Sequence, residues 1–199
     1  MVRHGQSENN VSRTISGHSS TPLSDLGREQ ARTLGQILLD KGLKFDAVYS
    51  SDLRRASQTA MIICDTLGIT GIIYDQRLRE GDAGYFTGRC FDEFNDEERA
   101  IFENLIVDLD SKAHGGESRN EQMRRIRAAF LEIIDNHPED STILIVGHGG
   151  TLFHILRNTL NVLPDRDEWF GNCMLNIIER HSPGSDWKLT VLDNIQHIV

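Results

Sequence analysis

The pattern that most constrains this chain is the alternation of short apolar runs with amphipathic helical stripes along its 199 residues. Residues 24–41 place Leu26, Leu34, Ile37 and Leu38 on one helical stripe and stop at Gly42, a residue suited to the position just past a helix. Residues 45–49 read as a strand, 53–67 as a helix with Ala56, Ala60, Ile63 and Leu67 on one face, and 72–74 as a short strand. Ser118 and Glu121 form a capping-box pattern ahead of Met123, Ile126, Phe130, Ile133 and Ile134, and Pro138 closes that helix. Residues 142–146 form a continuous apolar run, expected of a strand covered on both faces. Residues 151–160 predict a helix with Pro164 beyond it, and residues 174–180 and 187–192 flank a Ser182-Pro183-Gly184-Ser185-Asp186 turn as a hairpin. Together these predict an α/β fold, a mostly parallel central sheet with helices on both faces and a C-terminal hairpin at the sheet edge. One domain over residues 1–199 is expected, with 81–116 as an irregular lid segment. The acidic run there, Asp92, Glu93, Asp96, Glu97 and Glu98, reads as a solvated helix face.

Charge and composition narrow the function classes. The net charge is −9 and the isoelectric point about 5.3, a poor match to nucleic acid, whose binding relies on Lys and Arg neutralising phosphates. The apolar runs are strand-length, too short to span a bilayer. No basic segment followed by an apolar stretch opens the sequence, so a secretory signal is not expected. Cys64, Cys90 and Cys173 are scattered without Cys-x-x-Cys spacing, which points to a reducing, cytoplasmic setting. An anionic ligand would need the positive charge gathered locally.

Two histidines share one structural context. His4 precedes Gly5 and His148 precedes Gly149-Gly150, each at the carboxyl end of a predicted strand, the edge where open α/β sheets bind ligands. A third predicted strand ends in Ser50-Ser51-Asp52-Leu53-Arg54-Arg55, which delivers two guanidinium groups to that edge. The candidate site therefore gathers Arg3, His4, His148 and either Arg54 or Arg55. Guanidinium matches a phosphoryl group bidentately, and imidazole can serve as a nucleophile, kept neutral by neighbouring cations. Glu80, after a short strand and before the irregular segment, is the candidate general acid and base. A metal site built from His4, His18, His148 and His154 lacks a helical His pair and a carboxylate at ligand spacing, and adjacent arginines would repel a cation. No metal and no cofactor are expected.

Six blocks carry a resemblance. They are Arg3-His4-Gly5-Gln6-Ser7-Glu8-Asn9-Asn10, the stretch from Thr21-Pro22-Leu23-Ser24 to Ala31, and the stretch from Ser50-Ser51-Asp52-Leu53-Arg54-Arg55 to Ala60. Leu78-Arg79-Glu80, Gly115-Gly116-Glu117-Ser118 and Val146-Gly147-His148-Gly149 complete the set. In this order and spacing the chain resembles the histidine phosphatase superfamily, the phosphoglycerate mutase-like proteins, over nearly its whole length. The resemblance implies His4 as the phosphorylated histidine and His148 as its partner in the phosphate pocket. It further implies Glu80 as proton donor, and Arg3, Arg55, Asn10 and Gly149 as residues of the phosphate pocket. Arg54 falls on a variable position and is expected at the surface.

Two features depart from the superfamily pattern. Only Met1-Val2 precede the Arg-His-Gly motif, where the superfamily has a full central strand. A strand of two residues would leave the core unfilled, which motivates the expectation that the N-terminus is incomplete. Secondly, Gly81-Asp82-Ala83-Gly84-Tyr85-Phe86-Thr87-Gly88 resembles the short phosphatase version and lacks the basic residues of glycolytic mutases. Within residues 81–116 only Arg89, Arg99 and Lys112 oppose the acidic run, whereas a mutase must hold a doubly anionic intermediate. The expected activity is hydrolysis of a phosphomonoester through a phosphohistidine on His4. Cofactor-dependent phosphoglycerate mutase is the alternative. The expected partner is a small-molecule phosphomonoester, not nucleic acid or membrane, and a homodimer stays open. Tyr85 and Phe86 either line the pocket or pack the lid.

Overall fold

The apolar run at residues 142–146 becomes the strand β4 (Ile143–Gly147), buried at all but its first residue. The computed structural model of the chain describes residues 1–162, 170–180 and 184–192. The other strands are β1 (Val2–Arg3), β2 (Ala47–Ser50), β3 (Ile72–Tyr74), β5 (Leu175–Glu179) and β6 (Lys188–Leu192). They form one six-stranded sheet in the order β3-β2-β4-β1-β5-β6. The first four strands in that order run parallel. β5 joins β1 antiparallel and β6 joins β5 antiparallel, so the predicted hairpin does form the sheet edge. Pro164, and Ser182 and Pro183 of the hairpin turn, lie outside the described residues.

Helices α2 (Asp25–Asp40) and α3 (Arg54–Leu67) cover one face, and α5 (Arg119–Asp135) with α6 (Gly149–Phe153) covers the other. β4 shows why its sequence is apolar without alternation. Leu144 and Val146 pack with Leu34, Leu38, Ala60 and Ile63, while Ile145 packs with Ile126, Phe130, Ile133 and Leu152 on the opposite face. The ends of the helices follow local chemistry. Ser24 Oγ accepts the Gly27 N–H at 3.1 Å to start α2. Gly68, at φ +67°, ends α3 in the left-handed conformation that a side chain resists. The capping box before α5 is present, with Ser118 Oγ accepting the Glu121 N–H and Glu121 Oε2 accepting the Ser118 N–H.

The structure departs from the sequence expectations in two places, and a third feature, at β1, is as the sequence suggested. The segment 81–116 contains a 12-residue helix, α4 (Asp96–Val107), opened by a capping box between Asn95 and Glu98. None of its residues is buried, and Asp96, Glu97 and Glu98 occupy its first turn, where carboxylates complement the helix dipole. The helix expected at 151–160 begins earlier, at Gly149, and widens into a π-helical stretch over His154–Thr159. β1 contributes only two residues between β4 and β5, and a cavity of about 420 Å³, lined by Met1, Leu38, Phe45, Phe130, Ile145 and Ile177 among others, lies beside it. Among the described residues no helix is long and apolar enough to cross a membrane.

Candidate active site

Because β1, β2 and β4 are parallel, their carboxyl ends open onto the same edge, and the loops leaving them border a cavity of about 580 Å³. Arg3, His4, Asn10, Arg55, Glu80 and Gly149 all line it. His148 is fully buried, its ring centroid 5.2 Å from that of His4 in an edge-on arrangement.

His4 follows β1 directly, and its backbone N–H donates to the Gly147 carbonyl at 2.9 Å. Its Nδ1 lies 2.7 Å from the Gly5 carbonyl oxygen. A carbonyl only accepts, so Nδ1 carries the proton and Nε2 holds the lone pair. That lone pair accepts the Arg55 Nε–H at 3.2 Å. The turn carrying His4 packs tightly on α2: a Cβ on Gly5 would come within 2.4 Å of the Gly27 carbonyl oxygen, and one on Gly27 within 1.9 Å of the Gln6 oxygen. Burial first, and then the charges of Arg55 and Arg3, push the His4 imidazole well below its ordinary pKa of 6.5. The His4 imidazole is neutral at physiological pH.

Arg55, in the first turn of α3, is fully buried. Its Nη1 donates to the Ser19 carbonyl at 3.3 Å and its Nη2 to the Gly17 carbonyl at 3.0 Å. Burial pulls its pKa down to about 10, which leaves it charged at neutral pH. Arg3 donates from Nη1 to the Phe170 carbonyl at 2.6 Å, while its Nε is buried without a partner among the described residues. His148 Nε2 meets Ser51 Oγ at 2.8 Å, and its Nδ1 is likewise buried without a partner among the described residues. Burial, then Arg55, His4 and Arg3, hold His148 well below the ordinary imidazole range.

Glu80 is held by three N–H donors. Oε1 accepts from the Gly81 backbone at 2.9 Å and from Gln122 Nε2 at 3.0 Å, and Oε2 accepts from the Gly150 backbone at 3.1 Å. Gly150 has to be glycine for this approach, since a Cβ there would fall 2.2 Å from Glu80 Oε1. The backbone before Glu80 is clamped by Arg125, which donates to the carbonyls of Arg77, Arg79 and Glu80 and pairs with Glu117 at 2.6 Å. Asn10 lines the cavity, but its Oδ1 accepts from Ser7 in the cap of the short helix α1 (Glu8–Val11) and from Asn172 Nδ2. Arg54 is exposed, as expected of a surface residue.

A model of the histidine phosphatase superfamily (branch 1) matches residues 1–194. The chain belongs to this superfamily. Among curated relatives, the protein named Probable phosphoglycerate mutase GpmB of Enterobacter sp. (strain 638) is 35% identical over 205 residues, covering 100% of this chain and 93% of that protein. Among solved structures, mycobacterial glucosyl-3-phosphoglycerate phosphatase in complex with VO3 superposes with a TM-score of 0.80 at 30% identity, covering 96% of each chain. Bacillus stearothermophilus YhfR superposes with a TM-score of 0.82 at 28% identity, covering 100% of this chain and 97% of that one.

For this member of the histidine phosphatase superfamily, sequence reasoning missed Ser51, Gln122, Gly150 and Arg119. Arg119, at the start of α5, lines the cavity from an exposed position. The three lid cations lie elsewhere. Arg89 pairs with Glu98, Lys112 pairs with Glu121 at 3.0 Å, and Arg99 donates to the Phe94 carbonyl and sits 4.9 Å over the Phe91 ring. None of the three lines the cavity. Phe86 is fully buried, stacked on Phe94 with centroids 4.5 Å apart, and borders the cavity, whereas Tyr85 is exposed. His18 and His154 are engaged separately, with the Glu80 carbonyl and with Asn158. Among the described residues no group of three or more His, Cys, Asp or Glu side chains could hold a metal.

Proposed function

We propose that this chain is a phosphomonoester hydrolase that works through a phosphohistidine on His4, with a small-molecule phosphate ester as its substrate. The observation that carries this reading is the state of His4. It is a buried, neutral imidazole whose proton is fixed on Nδ1 by a carbonyl, which leaves Nε2 as the nucleophilic atom beside two guanidinium groups. In the first half-reaction Nε2 bonds to phosphorus, the phosphorus–ester oxygen bond breaks, and protonated Glu80 gives its proton to the departing oxygen. The Gly5 carbonyl stabilises the charge that attack places on the ring. In the second half-reaction water attacks phosphorus while Glu80 takes its proton. The N–P bond then breaks and inorganic phosphate leaves. Arg3, Arg55 and His148 stabilise charge on the phosphoryl oxygens throughout.

The partnered state of Arg89, Arg99 and Lys112 favours hydrolysis over mutase chemistry, because none of them is placed to hold a second phosphate. The likeness to a solved phosphatase at 30% identity supports the same choice. The free cysteines Cys64, Cys90 and Cys173 support a cytoplasmic setting.

A labelled phosphomonoester added with chelator present should leave acid-labile, base-stable label on His4, and vanadate should inhibit. Undiminished hydrolysis by His4→Ala would overturn the mechanism. Rapid isomerisation of phosphoglycerate with negligible hydrolysis would replace the phosphatase with the mutase.

A further inference from the structure

We infer that Ser51 is a positioning residue, whose hydroxyl proton goes to Nε2 of His148 and so places the imidazole's own proton on Nδ1, facing the transferring phosphoryl group. The identity of the anion rests on the proposed phosphatase activity; the tautomer does not.

The argument is one of hydrogen-bond satisfaction. Ser51 and His148 are both fully buried. Among the described residues Ser51 Oγ has two contacts, the Leu53 N–H at 3.3 Å and His148 Nε2 at 2.8 Å. A backbone N–H can only donate, so Leu53 occupies a lone pair of the hydroxyl. If His148 Nε2 also donated, the hydroxyl proton would be left at a dry position with no acceptor among the described residues, which is unfavourable for a buried donor. If the hydroxyl donates to Nε2, every polar group at the junction is satisfied. The ring proton then sits on Nδ1.

That placement matches the other end of the ring. Nδ1 of His148 is buried and has no partner among the described residues, and the same holds for Nε of Arg3. Arg3 Nε is a donor in any state. With its proton on Nδ1, His148 presents a second donor of the same polarity, and phosphoryl oxygens can only accept. The opposite tautomer would turn a lone pair toward the anion and oppose binding. Ser51 does not line the cavity, so it acts through the histidine. It plays for His148 the part that the Gly5 carbonyl plays for His4.

Two-bond 1H–15N correlation spectra of the histidine-labelled chain read the tautomer directly. The expected pattern for His148 is a protonated Nδ1 and a bare Nε2. Ser51→Thr should keep that pattern and near-normal turnover. Ser51→Ala should shift His148 toward a protonated Nε2 and lower kcat about 10- to 100-fold, with KM changed less than about threefold. A protonated Nε2 in the unsubstituted chain, or an unchanged His148 spectrum in Ser51→Ala, overturns the inference. The spectra need no substrate, so this result stands apart from the test of the phosphatase. An unphosphorylated His4 with a Nδ1-protonated His148 would sink the reaction and keep the tautomer, and the reverse pair of results would do the opposite.

Discussion

His4 and His148 follow neighbouring parallel strands in the same register, one residue after the paired Arg3 and Gly147. Both rings are held neutral, first by burial and then by the charges of the same arginines, Arg55 and Arg3. They differ in what orients them. A backbone carbonyl grips His4, and its polarity cannot be changed by substitution. A side-chain hydroxyl, which can donate or accept, grips His148. The tautomer of His4, the proposed nucleophile, is thus written into the main chain, while that of His148, by our inference, depends on one serine. The ring proposed to carry the phosphoryl group has the sturdier support.

The most severe way to test that contrast is to remove each ring in turn. His4→Ala should lower kcat by at least about 10⁴-fold and abolish the trapped phosphoenzyme. His148→Ala should cost about 10²- to 10³-fold and still trap label, since it withdraws charge stabilisation and not the nucleophile. Equal losses in the two variants would erase the distinction. A smaller perturbation reaches Glu80, the proposed proton donor, on the His148 side. Gly150→Ala must displace Glu80, and a misplacement of about 1 Å costs on the order of 10²-fold. That loss should appear with alkyl phosphates and shrink with a nitrophenyl ester, whose leaving oxygen needs little protonation.

The shared neutrality of the rings gives a thermodynamic test. Folding lowers the pKa of His4 and His148 well below 6.5 and that of His154 to about 4. The unfolded chain therefore binds more protons in acid. Stability present above about pH 6.5 is lost as the pH falls from there toward the folded values, approaching about 1.4 kcal/mol per pH unit for each histidine. Melting temperatures between pH 7.5 and 5 should fall steeply, and less steeply in His148→Asn. A flat profile would show that the rings are not buried neutral. At the small end, Arg54→Ala should leave kcat/KM within about twofold, while its neighbour Arg55 belongs to the nucleophile's surroundings.

The strand ends and their histidines were legible because strand-length apolar runs stopped at glycine-flanked polar residues. Arg55 could be told from Arg54 only by the resemblance, since spacing alone places two guanidinium groups at the same edge. The supporting residues were harder to see. Gln122 had a readable signal, a polar residue four before Ile126 on the buried face of α5. Helix α4 had one too, in Asn95 and Glu98 at capping-box spacing. Ser51 and Gly150 had none outside their motifs, because their roles depend on contacts 97 and 70 residues away in sequence. Local pattern cannot report such contacts.

One contact at the nucleophile has a consequence for the resting protein. The Arg55 Nε–H that rests on the His4 lone pair cannot at the same moment bind a phosphoryl oxygen. Attack from Nε2 therefore requires that this hydrogen bond open first.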